Sequence, residues 1–274
     1  MIIKRNKLVK SSRNFLVDFF ANTKNAPLII FSHGFKGFKD WGLFNQVAEY
    51  FCNNGFSFAK HNFSFNGTTI NNPISFEDLD AFGNNNYSKE LDDLTDVINY
   101  FLNNKKFKYY INSDQIYLIG HSRGGSISLL KSAEDKRIKK LITWSSPADF
   151  STRFTSQIER WKKENVIFAL NGRTKQKMPL YYQFYKDFLE NRTRLDIPNA
   201  SKSILIPYLI VHALNDEAVS VKNAHQLKKW CKQSVLLEIK NASHTFNVSY
   251  PHKNNNFTPQ LLKVLEESVR FLKI

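Results

Sequence analysis

A glycine-flanked serine lies between a strand pattern and a helix pattern near the middle of this 274-residue chain. Residues 115–119 are apolar and strand-like, Gly120-His121-Ser122-Arg123-Gly124 follows, and residues 126–131 favour a helix. Glycine two positions before and after the serine permits a turn that is too tight for side chains. The serine hydroxyl then projects at the carboxyl edge of the sheet, beside a helix N-terminus that favours negative charge. We interpret Ser122 as a nucleophile, and the alternative is a helix-capping serine.

Strand-like runs alternate with helix-like runs along most of the chain. Several of the predicted strands are apolar over their whole length, as parallel strands covered by helices on both faces are. This alternation predicts an α/β fold with a doubly wound, mostly parallel sheet. The predicted strands are residues 14–20, 28–32, 57–62, 115–119, 140–145, 206–212 and 235–239, and the predicted helices are 41–53, 88–102, one starting after Ser122, 223–231, and one capped by Thr258-Pro259 and running to Leu272.

One long segment interrupts the alternation between two predicted central strands. Residues 149–203 are helix-prone, aromatic and basic. We therefore predict a core of residues 1–148 and 204–274 and an inserted helical cap of residues 149–203. Aromatic residues at helical spacing are more typical of a cap core than of a pocket wall. Trp161, Tyr181 and Tyr185 are the candidate substrate contacts in the cap.

The loops after two later strands supply candidates for an acid and a base. A serine hydroxyl is a weak nucleophile at neutral pH, so it needs an imidazole as base and a carboxylate that orients the imidazole. Asp216 follows the predicted strand 206–212, and His244 follows the strand 235–239. Both loops are expected at the sheet edge that carries Ser122. Glu217 and Asp149 remain alternatives for the acid, and loop position favours Asp216.

Four other histidines compete with His244 as the base. His225 falls in a predicted helix, and His252 lies farther from the end of a strand. His212 falls inside a strand, where a satisfied core imidazole is expected. His121 flanks the nucleophile and should pack or hydrogen-bond beside the turn. Loop position therefore favours His244.

A glycine-bearing loop after the strand 28–32 is the candidate oxyanion hole. A tetrahedral oxyanion needs two preorganised donors, which are usually backbone N–H groups. The loop Ser32-His33-Gly34-Phe35-Lys36-Gly37 can present the N–H of Phe35 opposite that of Arg123. His33 is expected to brace this loop. Lys36 and Lys39 are expected at the solvated surface, although a place at the pocket mouth would also suit an anionic substrate.

The positive charge is dispersed along the sequence. The chain has 39 Lys and Arg against 24 Asp and Glu, a formal net charge of +15. Because no nucleic-acid motif accompanies these scattered cations, we interpret them as a solvated surface, and binding of nucleic acid or an acidic surface is a lesser hypothesis. Apolar runs are too short for a membrane span or a secretory signal, which predicts a cytoplasmic protein without a membrane partner. Cys52 and Cys231 lack metal-ligand neighbours and are expected to be buried or idle thiols.

Together these residues resemble a known family. The motifs are His33-Gly34-Phe35-Lys36-Gly37, Gly120-His121-Ser122-Arg123-Gly124-Gly125, Asp216 with Glu217 and Val219, and His244. From about Asn14 to Leu272 the chain is similar to the α/β-hydrolases, and within them to the cinnamoyl and feruloyl esterase-like and acylaminoacyl-peptidase-like bacterial members. The resemblance implies Ser122, Asp216 and His244 as triad, the N–H groups of Phe35 and Arg123 as oxyanion hole, and a cap at 149–203. Such hydrolases often have glycine where this chain has Ala213.

The expected activity is a two-step acyl transfer without metal or cofactor. The substrate is expected to be a small-molecule ester with a small to medium acyl or aryl group, and Lys36 is a further candidate contact. A peptidase-like (acylaminoacyl) or thioester hydrolase could use the same triad. A binding protein on an inactive hydrolase scaffold is disfavoured because all three triad positions are filled. The expected state is a monomer or homodimer.

Overall fold

The computed structural model describes residues 2–8, 13–154 and 157–274. Residues 1, 9–12 and 155–156, which belong to the predicted N-terminal segment and cap, lie outside the described residues. The strands are β1 (Ile2–Leu8), β2 (Phe15–Ala21), β3 (Ala26–Ser32), β4 (Ser57–His61), β5 (Ile111–His121), β6 (Ile138–Trp144), β7 (Val166–Leu170), β8 (Lys177–Tyr181), β9 (Tyr208–Ala213) and β10 (Val235–Ile239). The α-helices are α1 (Phe44–Asn53), α2 (Leu79–Gly83), α3 (Tyr87–Asn103), α4 (Arg123–Glu134), α5 (Ile158–Glu164), α6 (Gln183–Glu190), α7 (Ile197–Ser203), α8 (Lys222–Trp230) and α9 (Pro259–Lys273).

Eight of these strands form one sheet in the order β1-β2-β4-β3-β5-β6-β9-β10. β2 is antiparallel to β1 and to β4. The other six strands of the sheet, β4, β3, β5, β6, β9 and β10, run parallel to one another. In the centre Ile30 pairs with Leu118, which pairs with Leu141 on the other side. The parallel strands therefore end at one edge of the sheet, where the loops after β3, β5, β9 and β10 meet.

Helices cover both faces of the sheet, so the predicted doubly wound α/β fold is confirmed. On one face, Leu94 of α3, Ile127 of α4 and Leu227 of α8 belong to one buried cluster. On the other, Phe51 of α1 and Leu265 of α9 belong to a second. This double burial explains why the central strands are apolar along their whole length. None of the helices in the described ranges is long and apolar enough to cross a membrane.

Residues 149–203, called the inserted segment below, lie between β6 and β9. They contain α5, α6 and α7, but also the antiparallel hairpin of β7 and β8. The prediction of a helical cap therefore accounts for α5, α6 and α7 but not for the hairpin. The strand residues Val166, Ile167 and Phe168 are β-branched or aromatic and favour extended backbone.

Two further sequence predictions concern buried side chains. Cys52 and Cys231 are buried free thiols, as predicted. The prediction that Lys39 is solvated is wrong, because its side chain is fully buried. Its Nζ lies 2.6 Å from Asp18 Oδ2 and 2.6 Å from Asp40 Oδ2. These two carboxylates, which are distant from each other in sequence, offset the cost of removing the ammonium from water.

Candidate active site

Ser122 lies in the turn between β5 and α4. Its backbone has φ 55° and ψ −127°, in a region that side chains rarely adopt. Its N–H donates to the carbonyl of Trp144 at 2.8 Å, which ties the turn to β6. Ser122 precedes the first residue of α4, but within the described residues its side chain makes no capping hydrogen bond. The helix-capping alternative therefore finds no support, and the hydroxyl faces a cavity described below.

The loop after β3 approaches this turn closely. A Cβ placed on Gly34 would lie 2.8 Å from Ser122 Cβ, so only glycine lets the two loops come together. Phe35 follows Gly34 and lines the same cavity as Ser122. Arg123 is the first residue of α4, and the first N–H groups of a helix have no intrahelical partner. The two amides predicted to hold an oxyanion thus belong to adjoining loops.

Asp216 and His244 meet in the loops after β9 and β10. His244 Nδ1 lies 2.7 Å from Asp216 Oδ2, and the Asp216 side chain is fully buried. Its other oxygen accepts hydrogen bonds from the N–H groups of Ala218 and Val219 at 2.9 and 2.7 Å. Burial alone would raise the pKa of Asp216, but the hydrogen bond and charge of His244 help to hold that pKa below its ordinary value. The carboxylate is therefore fixed in its ionised form against Nδ1.

The alternative acids lie in other settings. Asp149 accepts hydrogen bonds from the backbone N–H and the hydroxyl of Ser151, both at 2.7 Å, just before a short 3₁₀ turn of residues Ser151–Arg153. Glu217 is exposed to solvent. Of the three carboxylates, Asp216 is the one in contact with His244.

The competing histidines make other contacts, and His244 is the histidine in the described lining of the cavity that contains Ser122. His212 is buried and donates from Nε2 to the carbonyl of Val219 at 2.8 Å. His225 lies 2.8 Å from Glu238 on the exposed side of α8, and His252 lies 3.3 Å from the carbonyl of Asn256. His121 donates from Nε2 to the carbonyl of His244 at 2.9 Å, so it supports the loop of the base.

His33 braces the loop that carries Phe35, as predicted. The N–H of Phe63 donates to His33 Nε2 at 3.3 Å, which leaves Nδ1 to donate to the carbonyl of Gly34 at 2.9 Å. Burial lowers the pKa of His33 to about 4, so the ring is neutral and keeps this tautomer.

The side chain of Arg123 is held beside the nucleophile by an ion pair that the sequence did not suggest. Its Nη1 lies 3.2 Å from Oε1 of Glu90, a buried residue of α3. Asn85 donates to the same oxygen at 2.7 Å. The guanidinium also lies over the Phe35 ring, with Cζ 4.1 Å from its centroid. One buried carboxylate thus fixes the cation that joins the two loops of the proposed oxyanion hole.

A cavity of about 430 Å³ opens above Ser122 and His244. This volume lies within the range of small-molecule sites. Its wall combines aromatic rings with cationic side chains. The lining residues are Phe35, Lys36, Tyr87, Ser122, Arg123, Pro147, Phe150, Arg153, Phe154, Trp161, Ile167, Leu180, Phe184, Ala218 and His244.

Of the four predicted substrate contacts, Lys36 and Trp161 line this cavity. Trp161 is buried and donates from Nε1 to the carbonyl of Leu180 at 2.7 Å. Tyr181 lies outside the cavity because its hydroxyl donates to Asp80 at 2.9 Å and its ring lies against Gly83. Tyr185 packs against Phe154 at 5.0 Å between ring centroids and also lies outside. Tyr181 and Tyr185 are thus not among the residues that line this cavity.

Sequence reasoning missed the larger part of the aromatic wall. Tyr87 and Phe150 stack with a centroid distance of 3.6 Å, and Phe184 lies 4.7 Å from Tyr87. They come from α3, from the loop after β6 and from α6. Tyr87 precedes Glu90 by three residues on α3, and both contribute to one helix face. The spacing of Tyr87 and Glu90 was the available signal that they share a helix face, but it did not show what that face contacts.

The sequence itself matches a known family over part of its length. A sequence model of the alpha/beta hydrolase fold matches residues 83–248, which is more than half of the chain. The chain belongs to the α/β-hydrolase family. The predicted family is thereby confirmed, and the strand order described above is the fold of this hydrolase.

A relative with a known sequence shares only part of this chain. A Bacillus subtilis (strain 168) protein named as an uncharacterized peptidase, YtmA, is 27% identical over 124 residues. That match covers 45% of this chain and 43% of the relative, so it spans less than half of either protein.

Solved structures share the fold over nearly the full length. Est1E from Butyrivibrio proteoclasticus has a TM-score of 0.68 at 20% identity and covers 98% of this chain and 97% of its own. The same protein with ferulic acid bound has a TM-score of 0.69, with 98% of both chains covered. DcsB in complex with a substrate analogue has a TM-score of 0.73 at 16% identity, covering 99% of this hydrolase and 98% of its own chain.

Proposed function

We propose that this hydrolase cleaves carboxylic esters of small to medium acyl or aryl groups through a serine nucleophile. The observation that carries the proposal is the shared cavity: Ser122 in its left-handed turn and His244, hydrogen-bonded to Asp216, line one space of about 430 Å³. An imidazole oriented by a carboxylate beside a serine is the arrangement needed for two-step acyl transfer.

In the first step, Ser122 Oγ attacks the ester carbonyl carbon while His244 Nε2 accepts the hydroxyl proton. Asp216 holds Nδ1–H and stabilises the imidazolium that forms. The oxyanion accepts hydrogen bonds from the N–H groups of Phe35 and Arg123. His244 then donates the proton to the leaving alkoxide, which leaves an acyl-enzyme.

In the second step, a water molecule loses a proton to His244 and attacks the acyl carbon. The second tetrahedral intermediate collapses, the proton returns to Ser122 Oγ and the carboxylic acid leaves. Both steps use the same amides and the same imidazole, so one site serves acylation and deacylation.

Hydrolysis of p-nitrophenyl butyrate by the wild type and by Ser122→Ala tests this proposal. We expect turnover by the wild type and a loss of kcat of about 10³-fold or more in the variant. Ser126→Ala is the matched control, because Ser126 lies in α4, the helix that follows Ser122, and its buried hydroxyl donates to the carbonyl of Pro147. Full activity in Ser122→Ala would overturn the proposal.

A peptidase is the second candidate, because the Bacillus subtilis relative is named as one. A p-nitroanilide with the same butyryl group separates the two candidates. An ester hydrolase should turn over the p-nitrophenyl ester with a much larger kcat/KM than the anilide. Comparable values for the two substrates would favour the peptidase.

A further inference from the structure

The cavity wall is unevenly charged. Three cationic side chains, those of Lys36, Arg123 and Arg153, line it together with aromatic rings. No aspartate or glutamate is among the described residues of this lining. Nearby carboxylates point elsewhere: Glu90 is buried against Arg123, and Asp216 is buried behind His244.

Two of these cations keep their charge uncompensated within the described part of the chain. Lys36 Nζ donates to the carbonyl of Leu170 at 2.9 Å, which is a neutral acceptor, and an ammonium has two further N–H donors. Arg153 is exposed, and no described carboxylate lies within salt-bridge distance of it or of Lys36. By contrast, Arg123 is paired with Glu90. The free donors at the cavity are therefore those of Lys36 and Arg153.

The surroundings of Lys36 disfavour the charged form of its side chain. Burial lowers the pKa of Lys36 from its ordinary value, and the positive charge of Arg123 lowers it further. Like charges close together in a half-buried place are unfavourable unless an anion joins them. The backbone of Lys36 has φ 57°, a conformation that residues with a side chain rarely adopt, and its Nζ reaches Leu170 of the inserted segment.

Aromatic rings line the same cavity as the two cations and Ser122. Tyr87, Phe154, Trp161 and Phe184 supply flat apolar surface that suits a ring of the substrate. A substrate with an aromatic body and an anionic end would use both features, whereas a neutral aliphatic ester would leave the cations unsatisfied.

We propose that the site selects aromatic esters that carry an anionic group away from the scissile bond, and that Lys36 from the core and Arg153 from the inserted segment bind this group. The inference rests on the proposed ester hydrolysis at the same site. Lys36 and Arg153 recognise the substrate and take no part in proton transfer. The anion would contact both the sheet core, through Lys36, and the inserted segment, through Arg153.

Binding of two matched esters to Ser122→Ala tests the inference without relying on turnover. Monomethyl terephthalate carries a carboxylate where methyl 4-methylbenzoate carries a methyl group. Calorimetry should give a Kd for the anionic ester that is about 10- to 100-fold lower, as hydrogen bonds to charged groups provide. The preference should fall as salt is raised, because the cations are partly exposed.

Lys36→Met with Arg153→Met, made in the same Ser122→Ala background, should abolish most of the preference. Lys139→Met with Lys229→Met removes the same charge at exposed positions outside the cavity lining and should keep it. Equal Kd values for the two esters, no binding of either, or a preference that survives loss of Lys36 and Arg153, would each overturn the inference.

Turnover by the wild type separates this inference from the proposed function. If both esters are hydrolysed with equal kcat/KM and bind equally, the ester hydrolase stands and the anion preference fails. If the anionic ester binds preferentially but neither ester nor p-nitrophenyl butyrate is hydrolysed, the anion site stands and the ester hydrolase fails.

Discussion

The sheet core and the inserted segment differ in how firmly they hold their side chains. β5 is paired on both sides, and its residues from Ile116 to Gly120 are buried. In the inserted segment, β7 pairs with β8 in a two-stranded sheet, and Phe168 and Leu170 are 59% and 58% exposed. The core carries Ser122, Asp216 and His244, whereas the inserted segment carries Arg153, Trp161 and Phe184. This division suggests that the core performs the chemistry and the inserted segment selects what enters.

The largest expected effect follows from a change in the core. Asp216→Asn keeps the shape of the side chain but removes the charge that holds His244 with its proton on Nδ1. We expect kcat to fall by about 10⁴-fold with little change in the melting temperature. Asp149→Asn is the matched control in the alternative acid, and its amide oxygen can still accept from Ser151. A comparable loss of kcat in Asp149→Asn would contradict the assignment of Asp216 as the acid.

Glycine substitutions compare the packing of the two regions directly. A Cβ on Gly124 would lie 2.3 Å from the carbonyl oxygen of Ser32, whereas a Cβ on Gly172 in the inserted segment meets nothing within 4 Å. Gly124→Ala should therefore lower the free energy of unfolding by about 3 kcal/mol or more. Gly172→Ala should change it by less than about 0.5 kcal/mol. Urea denaturation measures both, and equal effects would contradict the difference in packing.

A buried histidine of the sheet core, His61, should make the free energy of unfolding fall at acid pH. Burial lowers the pKa of His61 to about 3, so the unfolded chain takes up a proton that the folded chain refuses. This contribution to stability is complete above pH 6.5 and is lost as the pH falls toward 3. His61→Phe should reduce the slope of unfolding free energy against pH by about 1.4 kcal/mol per pH unit between about pH 6 and 4. An unchanged slope would show that His61 is not held neutral.

A smaller effect on activity is expected from a change in the inserted segment. Trp161→Phe keeps a ring but removes the hydrogen bond to the carbonyl of Leu180. We expect a loss of about 1 kcal/mol in unfolding free energy and a rise in KM for aryl esters that exceeds any change in kcat. Steady-state kinetics on an aryl and a short aliphatic ester check this, and a fall in kcat on both esters would contradict the division between the regions.

The sequence predicts the core well for physical reasons. Strands buried on both faces are continuously apolar, so β3 ends at Ser32 as predicted and begins two residues before its predicted start. The other parallel strands lie within four residues of prediction. β1 gave no such signal, because it is an edge strand rich in lysine and arginine. Edge strands need not be apolar, and charged residues there oppose aggregation.

In the candidate site, the residues in loops at the sheet edge were predictable and the cavity wall was not. The order of Ser122, Asp216 and His244 along the chain, with each in a loop at one sheet edge, predicts that these side chains meet. In the structure His244 contacts Asp216 and lines one cavity with Ser122. The wall of the cavity could not be predicted, because Tyr87 and Phe184 meet through tertiary packing alone. Lys39 was misjudged for the same reason, since Asp18 lies 21 positions away along the chain.

Labelling by a fluorophosphonate tests the central claim, that Ser122 is the nucleophile, most directly. The probe reacts with a serine that is activated by a base and an oxyanion hole. Mass spectrometry of the intact protein and of its peptides should show one adduct per chain, located on the peptide that contains Ser122 and absent after Ser122→Ala or Asp216→Asn. Folded protein that stays unlabelled, or an adduct on another serine, would contradict the account.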